Sequence, residues 1–178
     1  MPGAYESIAT AIVGSGGTSV VTFDNIPQTY KHLQVRGSAR TDGAYSIQGI
    51  GLAINNDRNV SNQYGWQRLG VINGAVASAW QTYTNPDNFY WPYVPAANTN
   101  SSLFASFIID IHDYTNTNKK RQVRAVNGCA DQTTSNWVFQ ILGTYIKQTT
   151  VSRLDFVFIG GSTQISQNSR FDLYGIKG

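Results

Sequence analysis

Apolar and polar residues alternate along most of this chain. In "HLQVRGSAR", Leu33, Val35, Gly37 and Ala39 fall on one side, and His32, Gln34, Arg36, Ser38 and Arg40 on the other. A period of two sends successive side chains to opposite faces of a pleated backbone, so the segment predicts a half-buried strand. "SIQGIGLAI", "YGWQRL", "SLFASFIIDI", "RQVRAV", "NWVFQILGTY", "VSRLDFVFI" and "SRFDLYGIK" continue the series. "YESIATAIVGSGGTSVVTF" opens it with a strand, a glycine turn and a second strand. β-Branched and aromatic residues concentrate in these runs, where they suit a pleated surface. Between them lie "GSGG" at 14–17, "TDGA" at 41–44, "NNDRN" at 55–59, "NTNKK" at 116–120 and "GGSTQ" at 160–164. These supply the Gly, Asn and Asp that tight turns need. No segment of helical length carries a 3.6-residue period.

About ten short strands with such spacing predict an all-β protein, an antiparallel β-sandwich or barrel with no significant helix. A jelly roll is expected over an immunoglobulin-like sandwich, because the strand count is high and a Cys–Trp–Cys spacing is absent. The 178 residues are read as one domain, 1–178, large enough to bury roughly 70% of the unfolded surface.

Residues 70–101 break the rhythm. They show no clean period and contain Pro86, Pro92 and Pro95. Within them "NFYWPY" sets Phe89, Tyr90, Trp91 and Tyr93 close together, with Trp80 and Tyr83 upstream. An excursion this long within a compact domain calls for a role. Two readings stand: the segment folds back and caps its own sandwich, or these six aromatics form a partner-contact surface, since Tyr and Trp supply rigid amphipathic area.

Charge changes the picture by its scarcity. Only 13% of residues are charged, against ~25% in an ordinary domain; 15 Asn and 17 Gly take up part of the difference. The net charge of +3 is dispersed, without the basic stripe that neutralises phosphates, so nucleic acid is not an expected partner. No apolar run approaches the ~18 residues of a membrane span. The first residues lack the basic and apolar regions of a secretory signal, which predicts a chain made in a cytoplasm without a signal peptide.

Candidate chemistry is sparse. A single cysteine, Cys129, allows no disulfide or Cys-x-x-Cys metal pair and is read as a small, partly buried hydrophobe. His32 alternates outward on its strand. In "IDIHDY", Asp110 and His112 share parity and Asp113 follows; a metal or acid–base site is conceivable, and a strand end turning into a loop is the simpler reading. Asp155 and Asp172 lie inside strands near arginines and are read as cross-strand charge partners. "GSGG" lacks the following helix and Lys-Ser/Thr of a phosphate loop. No catalytic set emerges, and a protein that is not an enzyme is expected.

The motif "F-x-x-I-P-x-x-Y-x-H-L", here Phe23, Ile26, Pro27, Tyr30, His32 and Leu33, follows a Gly-rich hairpin. In this the chain resembles small β-rich virion proteins of tailed bacteriophages. "IDIHDYTNTNKKRQVRA" resembles the middle of such proteins, with His112 where Pro is usual, and "FDLYGIKG" resembles their ending; residues 41–101 match least. The resemblance implies a jelly-roll virion component with no catalytic residues and no cofactor. Some such proteins decorate the capsid as cement proteins, often trimeric and in contact with the major capsid protein; others tip head or tail fibres. Capsid decoration by a homotrimer is the leading expectation. A receptor- or glycan-binding module of a fibre is the alternative, motivated by the aromatic cluster.

Overall fold

The computed structural model describes residues 4–58, 63–81, 89–130, 136–158 and 163–178. Twelve strands run through them: β1 (Tyr5–Ile12), β2 (Val20–Phe23), β3 (His32–Ala39), β4 (Ile47–Ile54), β5 (Tyr64–Ile72), β6 (Ala75–Gln81), β7 (Phe89–Pro95), β8 (Ala105–Ile111), β9 (Arg121–Ala130), β10 (Asn136–Tyr145), β11 (Leu154–Val157) and β12 (Arg170–Ile176). All pair antiparallel, in an eight-stranded sheet ordered β1-β12-β3-β8-β9-β10-β5-β6 and a four-stranded sheet ordered β2-β11-β4-β7. No helix occurs among the described residues. The all-β antiparallel sandwich expected from alternation is present, with twelve strands in place of about ten.

The strand order follows one rule once β5, β6, β9 and β10 are set aside. Among the other eight, the first pairs with the last, β1 with β12. The pairs β2–β11, β3–β8 and β4–β7 nest inside it, and successive pairs fall in alternate sheets. A single long hairpin folded over on itself gives this nesting. The four remaining strands form two hairpins, β5–β6 and β9–β10, and both extend the large sheet beyond β8.

Alternation fixes which face is buried. Phe107, Ile109 and Ile111 of β8, Val123 and Ala125 of β9, and Trp137, Phe139 and Ile141 of β10 point to the core, and their neighbours point outward. Between the sheets Phe107, Phe156 and Phe171 cluster with ring centroids 4.9–6.3 Å apart, and Phe23 meets Phe156 edge-on at 6.4 Å. Each such burial stabilises the fold by about 1.5–3 kcal/mol. β4 differs: every residue from Gln48 to Ile54 is buried, so both of its faces are covered. From Gly49 on, its run "GIGLAI" is accordingly small or apolar on both parities.

Of the described residues in the expected excursion at 70–101, most lie in strands. Residues 70–72 finish β5, Asn73 and Gly74 turn with φ of 48° and 82°, and β6 returns. Positive φ at both central positions marks a type I′ hairpin, whose twist matches that of the flanking strands. Asn73 also ties into β10: its N–H donates to the Asn136 carbonyl at 2.7 Å, and its Oδ1 accepts the Asn136 N–H at 2.8 Å. Residues 89–95, as β7, close one edge of the small sheet against β4. The period is hard to see in sequence because β6 carries small residues, whose alternation is faint.

Candidate interaction face

Two of the six aromatics lie in the core. Phe89 and Trp91 are wholly buried, which corrects their expected place at a contact face. Their rings lie 4.9 Å apart, and Phe89 is also 4.9 Å from Tyr64. They share parity on β7, and that face packs against the large sheet. Tyr93 is half-buried, its ring 5.1 Å from Phe139 and 4.6 Å from the Arg68 guanidinium, which lies against both rings. Tyr90 stands opposite Gly51 in the β4–β7 ladder, and Trp80 opposite Gln67 in the β5–β6 ladder. Tyr83 lies outside the described residues. The reading in which the segment covers its own sandwich therefore holds for Phe89 and Trp91.

The candidate chemical groups are taken up by structure. His32 is half-buried, not turned fully outward, and its Nδ1 accepts the Asp113 N–H at 2.9 Å. Its ring meets His112 edge-on at 5.3 Å. Burial pushes the His32 imidazole below its ordinary value, against the opposing pull of Asp113. Hydrogen bonds from Lys119 and Lys31 hold the Asp113 carboxyl down at about 2. Asp110 does not pair with His112; it accepts from Gln34 at 2.7 Å and Arg124 at 2.8 Å. Burial raises the Asp110 carboxyl, but those two hydrogen bonds outweigh it and leave it lowered. Among the described residues no three His, Cys, Asp or Glu side chains converge to hold a metal ion. Cys129 is half-buried.

Asp155 and Asp172 correct their expected pairing. Each takes its arginine from two residues earlier in sequence, Arg153 and Arg170, while the cross-strand partner is a threonine: Thr22 for Asp155 at 2.7 Å, Thr10 for Asp172 at 2.6 Å. Period two explains this, since residues i and i+2 share a face. Asp155 is fully buried and also lies 3.7 Å from Arg58.

What the sheet does leave exposed is a neutral face. On the outer side of the large sheet the register aligns Ile108, Val126, Gln140, Leu69 and Ser78 in one row across β8, β9, β10, β5 and β6. The adjacent row runs Ser106, Gly128, Val138, Val71 and Val76. Neither row contains a charge across these five strands; Arg36 of β3 stands beside Ile108 at the end of the first row, and in the next row Arg124 bonds Asp110. Val76 is 78% and Leu69 58% exposed, and Ile108, Val126 and Val138 are exposed with them. Val126 and Val138 form a ridge between two hollows. One, of about 470 Å³, is bordered by Leu69, Val71, Val76 and Gln140; the other, of about 500 Å³, opens beside Gly128, Ser106 and Ile108.

Sequence reasoning missed this face although the signal was present. "SLFASFIIDI" and "NWVFQILGTY" carry apolar residues on both parities, Ile108 beside Phe107 and Ile109, Val138 and Leu142 beside Phe139 and Ile141. One parity fills the core, and the other is left facing solvent. No protein-family model matches this chain, and no curated protein matches it.

Proposed function

We propose that this protein is a non-enzymatic structural component of a bacteriophage virion: a capsid decoration (cement) protein that acts as a homotrimer and stabilises the mature head by binding between capsid subunits. The nested hairpin order of the two sheets is read as a jelly roll enlarged by the β5–β6 and β9–β10 hairpins. One observation carries the reading, the broad charge-free apolar face on the outer side of the large sheet. A surface of that kind suits adhesion without the cost of desolvating charge. A protein that binds only the assembled lattice stabilises it by mass action, and a trimer multiplies a weak contact through effective concentration. The partners in this reading are other copies of the chain and the major capsid protein, and the chain is made in the host cytoplasm.

The fibre-tip alternative, in which the aromatics bind a receptor or glycan, loses the Phe89 and Trp91 side chains to the core. Quantifying the protein on purified particles against the major capsid protein tests the choice. Copies comparable in number to capsid subunits support decoration; a handful, confined to the tail, overturns it.

A further inference from the structure

We infer that the outer face of β8, β9, β10, β5 and β6 is where copies of this chain meet, with Leu69 and Val76 of one copy entering the hollow beside Gly128 of the next. The inference rests on the self-association in the decoration reading and gives it a surface.

Two properties of the face select a second copy as the occupant. Its two central rows hold no charge, so a charged partner finds nothing to pair with, while an identical neutral face brings no unpaired charge into the contact. Projecting side chains and hollow sit on opposite flanks: Leu69 and Val76 on β5 and β6, and the hollow beside Gly128 between β8 and β10. Complementary features on different flanks produce a head-to-tail contact, which closes into a ring when the rotation permits.

Sedimentation velocity on the full chain over a roughly hundredfold dilution tests this. The unaltered protein is expected to sediment as an oligomer that dissociates on dilution. Val76→Lys removes the projection, and Val126→Lys charges the border of the hollow; each alone is expected to be monomeric, with an unchanged circular dichroism spectrum. An equimolar mixture of the two regains dimers, because one intact projection then meets one intact hollow. Val76→Ser adds no charge and weakens association about tenfold, which keeps the test decisive should the lysine variants misfold. Ile12→Lys, exposed on β1 at the far edge of the sheet, leaves association unchanged.

A chain monomeric at every concentration overturns the inference, as do variants that associate like the parent or a mixture that stays monomeric. A monomer that still coats heads defeats this inference and leaves decoration standing. A chain that associates through this face yet is absent from heads defeats the decoration reading alone.

Discussion

Phe89 of the small sheet packs its ring directly over Gly143 of the large one. A Cβ added at position 143 meets Phe89 Cε1 at 2.5 Å and Cδ1 at 2.9 Å. The ring is wholly buried between Tyr64 and Trp91 and has nowhere to retreat. Gly143→Ala is therefore expected to destabilise the fold by about 1–3 kcal/mol through overpacking. Phe89→Leu in the same chain should recover part of that loss. Urea midpoints of the two single variants and the double variant measure the coupling.

Arg40 is a second buried constraint. Its guanidinium makes five hydrogen bonds, to Thr99 Oγ1 and the carbonyls of Asn100, Leu103, Ala96 and Thr99, at 2.7–3.3 Å. No carboxylate takes part in this set; four carbonyl dipoles and one hydroxyl compensate the charge. Arg40→Met strands these acceptors in the 96–103 connection and is expected to cost about 3 kcal/mol or more. Arg40→Lys should rescue little, because an ammonium offers three donors where five bonds are made. Chemical denaturation gives the magnitude, and hydrogen exchange over 96–103 shows whether the loss is local.

The His32 corner predicts an acid-sensitive fold. His32 Nδ1 serves as an acceptor, and Asp113, His112, Lys31 and Lys119 surround it. Its folded value lies below its unfolded one, so between the two the unfolded chain binds more protons. The stability it contributes is present above about pH 6.5 and is lost as pH falls through the depressed folded value. The lowered Asp110, Asp113 and Asp172 carboxyls act with the same sign further down, the Asp113 contribution vanishing as pH approaches about 2. Urea midpoints measured against pH should fall below neutrality in the parent. In His32→Gln the first part of that decline should disappear and the carboxylate part remain.

Gly74 tests the hairpin that carries Val76. With φ at +82°, Gly74→Ala is expected to cost about 1 kcal/mol. The same substitution should weaken self-association more than it weakens folding, since β6 lies at the rim of the sheet and carries one flank of the neutral face. Comparing the shift in unfolding midpoint with the shift in sedimentation coefficient separates the two effects.

Local pattern made the strands legible in the sequence. Leu33 and Val35 alternate against Gln34 and Arg36 and are buried as that alternation predicts, with Arg36 exposed and Gln34 covered. Asn73-Gly74 is a strong hairpin signal that sequence reasoning passes over, because "AVASAW" after it is too small-sided to announce a strand. Phe89 and Trp91 share one parity with Tyr90 between them, and reading "NFYWPY" by period instead of composition sends that pair inward. Partners at long range could not be read. Thr22 and Asp155 are 133 residues apart, and nothing near either one names the other. The neutral face depends on which strands lie side by side, and that is a property of topology, not of any one segment.

The nesting of the strands sets an order on folding. The outermost pair joins the first strand described to the last, and the core between the sheets draws on residues from both. A nascent chain holding β1 to β7 has two half-built sheets, each missing the neighbour that completes it. Structure of this connectivity closes only once β12 has been made, on the slow, millisecond-to-second scale of proteins dominated by distant pairings. During that wait the apolar strands have no finished fold to shelter them. Production at low temperature, or with a holding chaperone present, should therefore raise the soluble yield.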